Sequence, residues 1–279
     1  MSTTIKGTAL ITGASAGIGS IYADRLAKRG YDLILVARDK ARLAGLAQRL
    51  RSSTGRSVET VAADLTDKTD LAKVEAILRA NADITLLVNN AGVGATAPLL
   101  NAEVEKMEDM IRLNVGALTR LTYAAAPGFV ARGEGTIINL SSIVAISPET
   151  LNGVYGGSKA FVLAFPLSLH HELADKGVRV QAVLPGATAT DFWDIAGVPV
   201  HKLPAAIVMS ADDMVDAALS GLDQGEVVTI PSLADKADWD RYDAVRRAMS
   251  GKISSAVPAA RYKVSVNASA SKATVTSTQ

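Results

Sequence analysis

Short apolar runs recur along the chain, each followed by a stretch whose large apolar residues return at intervals of three and four. Gly7–Thr12 (GTALIT), Tyr31–Ala37 (YDLILVA), Ser57–Ala63, Ile84–Val88, Thr136–Leu140, Val178–Leu184 and Glu226–Ile230 read as strands. Between them, Ile18, Ile21, Tyr22 and Leu26, then Leu43, Leu46, Ala47 and Leu50, then Leu71, Val74 and Leu78, predict amphipathic helices. A long helix over roughly Ala102–Ala126, another bearing Tyr155, and two more near Asp212–Leu222 and Asp235–Met249 complete the alternation. Strand and helix in strict turn make an α/β fold, whose parallel sheet places ligands at the C-terminal ends of its strands.

A chain of 279 residues that is 48% hydrophobic can bury one large core, so a single domain is expected over residues 1–250. From Ser250 onward Ser, Thr, Ala and Lys predominate, and 251–279 reads as a flexible tail in which the Asn267-Ala268-Ser269 sequon carries no meaning for a cytosolic chain. The formal charge is +1, with acids and bases interspersed, so no nucleic-acid stripe or membrane-binding basic helix is expected. Cysteine is absent, which excludes disulfides and thiolate catalysis and suits a reducing compartment. Strand sequence from Thr8 leaves no room for a signal peptide, no apolar run is long enough to span a bilayer, and a cytoplasmic location follows. His170 and His171 point to different faces of one helix and His201 has no evident partner, so no metal site is expected.

The predicted strand ends carry the chemistry. The first opens into Gly13-Ala14-Ser15-Ala16-Gly17-Ile18-Gly19, a glycine turn between strand and helix that lets backbone N–H groups approach a pyrophosphate. The second ends in Ala37-Arg38, where an NAD site carries an acidic residue; a small residue beside a guanidinium suits a 2′-phosphate instead, favouring NADP(H) over NAD(H), unless Arg38 simply begins the next helix. Asp64-Leu65 ends the third, with Asp64 either an acceptor for an adenine amino group or a helix cap. Asn89-Asn90-Ala91-Gly92 ends the fourth. Asn114 stands mid-helix, unfavourable there by propensity, so it faces solvent or is held for a purpose.

The fifth strand ends in Ser141-Ser142, and Tyr155 and Lys159 follow four apart on one helical face. A phenol, an ammonium and a serine hydroxyl together outline a proton-transfer site, in which the ammonium is expected to draw the phenol below its ordinary pKa of about 10. Ser141 is expected to point to the opposite side of the strand. Pro185-Gly186 closes the sixth strand. The segment 187–209, with Phe192, Trp193, Ile195, Val198, Leu203 and Ile207, is either a substrate loop or a local core.

Over roughly residues 5–235 the chain resembles the short-chain dehydrogenase/reductase family. The likeness rests on the Thr12-Gly13, Gly17 and Gly19 turn, the Asn89–Gly92 motif, Asn114, the serine thirteen residues before the tyrosine, Y-x-x-x-K and Pro185-Gly186. It implies a doubly wound Rossmann-type fold with a seven-stranded parallel sheet, and hydride transfer between a nicotinamide and a carbonyl or secondary alcohol; the apolar residues of 187–209 suggest a small-to-medium apolar substrate. It assigns Tyr155 as general acid/base, Ser142 as the donor to the substrate oxygen, Lys159 as the cation beside tyrosine and nicotinamide ribose, and Asn114 as holder of a water in a proton relay. Gly13, Ser15, Gly17, Ile18, Gly19, Arg38, Asp64, Leu65, Asn90, Tyr155, Lys159, Pro185, Gly186, Thr188 and Thr190 are its implied cofactor contacts, with Thr190 favoured over Thr188 for the carboxamide. A homodimer or homotetramer is implied, while Pro166 in the tyrosine helix predicts a kink near Val162–Pro166. Two other functions remain open from sequence: reduction of a 3-oxoacyl thioester, and a non-catalytic NADP-binding sensor.

Overall fold

The computed structural model describes residues 6–262; the sequon at Asn267 and the tail beyond residue 262 lie outside that range. Elements follow the predicted alternation. β1 (Thr8–Thr12), α1 (Gly17–Lys28), β2 (Asp32–Ala37), α2 (Lys40–Thr54), β3 (Val58–Ala62), α3 (Lys68–Ala80) and β4 (Ile84–Asn89) form the first half. α4 (Val104–Ile111), α5 (Leu118–Arg132), β5 (Gly135–Leu140), α6 (Gly153–Leu173) and β6 (Val178–Val183) follow. β7 (Thr188–Ala189), α7 (Phe192–Ala196), β8 (Met209–Ser210), α8 (Ala211–Asp223), β9 (Val228–Thr229) and α9 (Lys236–Met249) complete the chain. Among the described residues two compact units are distinguished, one ending at Ser232 and one beginning at Leu233. In the second unit α9 carries a ring pair, Trp239 and Tyr242, and an Asp243 carboxylate paired with Arg246 and Arg247.

The first unit holds a seven-stranded sheet in the order β3-β2-β1-β4-β5-β6-β9, every pairing parallel. Successive side chains of a strand point to opposite faces, and both faces are covered. Ala9 and Ile11 of β1, with Leu33 and Leu35 of β2, pack on α1, α2 and α8; Leu10, Ile34 and Val36 face α3 and α5. Strand order reverses between β1 and β4, and this is where the chain ends of a doubly wound sheet diverge and leave a crevice.

Two elements depart from the sequence reading, and Pro166 lies inside a third. The helix expected over 102–126 instead begins at Val104, runs to Arg132, and passes through a π-helical turn at Arg112–Ala117 that contains Asn114. An added residue in a turn swings a side chain off its regular face, and Asn114 is thereby buried against the loop after β4. Pro166 sits buried inside α6, which continues to Leu173 as one helical element. The 187–209 segment is partly ordered by local pairing: β7 and β8 form a small parallel ladder outside the main sheet, and α7 lies between them.

Helix–helix order is reinforced by charge. Arg25 of α1 bonds both Asp212 (2.7 Å) and Asp216 (2.8 Å) of α8, and Glu75 of α3, nearly buried, binds Arg79 (2.7 Å) and Arg120 of α5.

At the divergence of β1 and β4 the main chain is satisfied by one hydroxyl. Thr12 Oγ1 donates to the Val88 carbonyl (3.2 Å) and accepts from the N–H groups of Asn90 and Ala91 (both 3.0 Å). Thr12→Val keeps the shape and removes the partner of the Ala91 N–H, whereas the Asn90 N–H still meets the Val88 carbonyl (3.1 Å); leaving that one group unpaired costs roughly 1–3 kcal/mol. We expect a loss of about 1–3 kcal/mol in urea denaturation; a loss below about 0.5 kcal/mol would show that the linkage is dispensable.

Candidate active site

The glycine turn is shaped by close backbone approach. Gly13 and Gly17 have φ of 64° and 51°, in the left-handed region, and a Cβ on Gly19 would stand 2.3 Å from the Gly13 carbonyl oxygen. Asn90 donates from Nδ2 to the carbonyls of Thr12 (2.9 Å) and Gly13 (3.2 Å), so its amide braces the turn from the β4 side. The turn opens onto a cleft of about 450 Å³ that runs from the ends of β2 and β3 to the tyrosine helix. Every cofactor contact expected from sequence lines it except Gly19, which lies behind the turn. A Cβ at Gly13 would meet Asn90 and Ala91 and one at Gly19 the Gly13 carbonyl, so glycine lets the turn pack tightly from behind and leaves its Gly13–Ile18 backbone facing the cleft, which fits the pyrophosphate of a dinucleotide.

At the adenosine end, Arg38 is exposed at the tip of β2. Asp39 is committed to the helix, its carboxylate accepting from the Arg42 N–H (2.9 Å) as the cap of α2. Arg42 lines the cleft as well, one helical turn beyond Arg38, and sequence reading missed it although the four-residue spacing is visible. Asp64 does not cap α3; Asp67 does. Asp64 Oδ1 instead accepts from the Thr66 hydroxyl (2.7 Å) and N–H (2.9 Å), and the hydroxyl bond holds its carboxyl below the usual range against a smaller opposing effect of burial.

Asn114 is 2% exposed, so the solvent-facing reading is wrong. Its amide brackets one residue of the β4 loop, accepting from Val93 N–H (3.0 Å) and donating to the Val93 carbonyl (2.9 Å), and donates again to Ser158 Oγ (3.1 Å). Ser158, not singled out from sequence, passes the contact to the Tyr155 carbonyl (2.8 Å). Asn152 caps α6 at Val154 N–H (2.9 Å) and reaches the Ala97 carbonyl (2.7 Å), so loop and helix are tied twice.

Tyr155 and Lys159 are both buried on one face of α6. Ser142 is the hydrogen-bonding neighbour of the phenol and also meets the Pro185 carbonyl at 3.4 Å. Ser141 spends its hydroxyl on the Lys159 carbonyl (2.7 Å), in keeping with the two serines' division of faces. Lys159 Nζ donates to the Leu140 carbonyl at 2.7 Å and lies 5.8 Å from the centre of the Tyr155 ring. Thr188 and Thr190 both line the cleft; Thr188 bonds the Gly186 carbonyl, and the Thr190 methyl lies against Gly17. Among the described residues no group of three or more His, Cys, Asp or Glu is placed to hold a metal.

Burial reverses the expected electrostatics. Desolvation pushes the Tyr155 phenol up to about 12, only partly opposed by its bond to Ser142, and pushes Lys159 down to about 8. The ammonium is thus largely discharged before the phenol ionises, which is why it does not draw the phenol down as sequence spacing suggested. At neutral pH the site holds a protonated phenol beside a charged lysine. For stability, Lys159 falls from an ordinary 10.5 to about 8, so between those values the unfolded chain binds the more protons and stability rises with pH. Lys159→Met removes this rise; urea melts at pH 7 and pH 10 are expected to show the wild type gaining relative to the variant, and parallel curves would overturn the assignment.

The sequence profile of the short chain dehydrogenase family matches residues 7–196. Among solved structures, a short-chain dehydrogenase from Sphingobium yanoikuyae in complex with NADPH is 50% identical, with a TM-score of 0.89 over 92% of this chain and 99% of that one. A bulky-bulky ketone specific alcohol dehydrogenase from Comamonas testosteroni is 43% identical, with a TM-score of 0.86 over 93% and 99% of the two chains. Serine 3-dehydrogenase of Agrobacterium fabrum is 37% identical over 190 residues, 67% of this chain and 74% of the relative. With the glycine cradle, Asn114, Ser142, Tyr155 and Lys159 placed as described, the chain belongs to the short-chain dehydrogenase family and is an oxidoreductase of the nicotinamide-dependent kind.

Proposed function

We propose that the protein is an NADP(H)-dependent reductase of uncharged, apolar ketones, with Tyr155 as the proton donor. The observation that carries this reading is the buried, protonated phenol beside Ser142, at the point where the amide-walled arm of the cleft meets an apolar arm. The glycine turn, Asn90, Pro185, Gly186 and Thr190 would hold a nicotinamide dinucleotide, whose contribution when bound would be hydride transfer to the carbonyl carbon. Ser142 and Tyr155 both direct hydroxyls at the developing oxyanion, and Tyr155 gives it a proton. Lys159, charged below about pH 8 and anchored on Leu140, then stabilises the phenolate left behind. Asn114 fixes the loop and α6 in register, and its relay water is part of the same reading.

The character of the substrate arm supports the apolar assignment. Val93, Leu151, Phe192, Trp193 and Ile195 line it, and the cleft's guanidinium groups, Arg38 and Arg42, sit at the adenosine end. Of the exposed carboxylates on α7 and just before it, Asp191 pairs with Arg42 (3.5 Å) and Asp194 has the wrong sign for the phosphates of an acyl thioester carrier. An amino acid such as serine finds no carboxylate partner there either. The relative from Comamonas testosteroni, by name specific for bulky-bulky ketones, accords with this reading.

Preference for the 2′-phosphorylated cofactor rests on the exposed Arg38, with Arg42 beside it held between Asp39 (3.6 Å) and Asp191 (3.5 Å). The NADPH complex of the Sphingobium yanoikuyae relative supports it. A homodimer or homotetramer is part of the proposal, supported by the exposed Tyr123 ring stacked at 6.4 Å on Phe165 across α5 and α6. No helix among the described residues is long and apolar enough to cross a membrane, and a cytoplasmic site of action suits a chain without cysteine.

Tyr155→Phe is expected to abolish NADPH oxidation against aryl and alkyl ketones while NADPH affinity, read by fluorescence titration, changes little; retained turnover removes Tyr155 from the mechanism. In the wild type, kcat/KM for reduction is expected to fall as pH rises through about 8, where Lys159 loses its proton. Arg38→Asp should lower the NADPH to NADH ratio of kcat/KM by about 10- to 100-fold, the worth of a charge-assisted bond. An unchanged ratio places the phosphate elsewhere.

A further inference from the structure

We infer that Phe192 is the specificity-determining residue of the carbonyl site, a fixed aromatic wall that limits one of the two groups flanking the carbonyl to a short or flat one, and that Gly94 is the seat that lets it stand there. The inference rests on the ketone-reductase reading and adds the class of ketone.

The Phe192 ring lies 5.9 Å from the Tyr155 ring at 44°, and Trp193 meets it edge-on at 5.7 Å and 89°. A carbonyl reaching the Tyr155 phenol therefore passes this ring. The tip of the ring points at Gly94: a Cβ there would stand 2.2 Å from Phe192 Cζ and 2.8 Å from Cε2. Gly94 has no left-handed backbone that would call for glycine, so the ring alone accounts for it.

Neither side of this contact is free to yield. The loop around Gly94 is held at Val93 by Asn114 and at Ala97 by Asn152, and Thr96 donates from both N–H (3.1 Å) and hydroxyl (2.7 Å) to the Ala196 carbonyl at the end of α7. At the other end of α7, Trp193 Nε1 donates to the Thr188 carbonyl (3.0 Å) and the Phe192 N–H to Thr190 Oγ1 (3.4 Å). Phe192 is thus a built wall pinned at both ends of its helix. A hydrophobic wall discriminates by about 10- to 200-fold for each methylene it excludes.

The test is a pair of ketone ladders, acetophenone to butyrophenone and 2-butanone to 4-heptanone, read as ratios of kcat/KM with NADPH. Phe192→Ala is expected to raise the butyrophenone to acetophenone ratio at least about 10-fold, mainly through KM, with the alkyl ladder moving the same way. Phe192→Leu should give a smaller rise, and serves where the alanine variant fails to fold. Gly94→Ala, which forces the ring off its seat, should lower acetophenone turnover about 10-fold or more. The double variant Gly94→Ala/Phe192→Ala should recover it, because the clash goes with the ring. Ratios unchanged in both Phe192 variants, or a double variant no better than Gly94→Ala alone, overturn the inference. Wild-type turnover that is lost in Tyr155→Phe upholds the parent reading independently of those ratios, whereas no turnover of any ketone by the wild type overturns the reading and the inference with it.

Discussion

Where β1 and β4 part, the main chain leaves the sheet and its N–H and C=O groups lose their ladder partners in a place largely closed to water. Unpaired buried groups of this kind are costly, and the whole site is organised around removing that cost with side chains. Thr12 takes the first amides of the β4 loop, Asn90 turns back to the glycine turn, Asn114 closes on both polar groups of Val93, and Asn152 takes the carbonyl of Ala97. Each bond stabilises the loop and at the same time places a wall of the cleft. The π-helical turn at Arg112–Ala117 belongs to this arrangement, since it delivers Asn114 to the loop.

The same dry environment governs the reacting groups. Tyr155 and Lys159 are taken out of water with Ser142 and the Leu140 carbonyl as their hydrogen-bonding neighbours, and among the described residues no carboxylate balances the lysine. Desolvation therefore moves both toward their neutral forms, the phenol upward and the ammonium downward. The result suits a proton donor: a phenol that keeps its proton until an oxyanion appears, beside a lysine that is charged at neutral pH and titrates only slightly above it. Stability is given up for this, because the ammonium is held below its ordinary pKa.

The cleft then divides its chemistry by distance from the tyrosine. Amides and guanidinium groups line the end built by β1, β2 and β3, and carbon lines the end built by the β4 loop and α7. In the proposed reading this difference in polarity separates cofactor from substrate before any contact is specific. In the same reading Phe192, against Tyr155 at the apolar end, extends the division down to the size of the group beside the carbonyl.

Local pattern carried a great deal of this. Strand and helix order follow from apolar periodicity, the glycine turn from its own spacing, and the shared face of Tyr155 and Lys159 from helical geometry, because each depends only on near neighbours in the chain. Tertiary structure decided whatever required distant segments to meet. Asn114 looked equivocal until the β4 loop was seen to close on it, Arg42 gained significance only as a second guanidinium in the cleft, and Gly94 had no visible reason until a ring from α7 was found against it. The phenol's acidity was misjudged for the same cause: spacing along a helix reports which charge is near, while the pKa is set by how much water the surrounding fold removes.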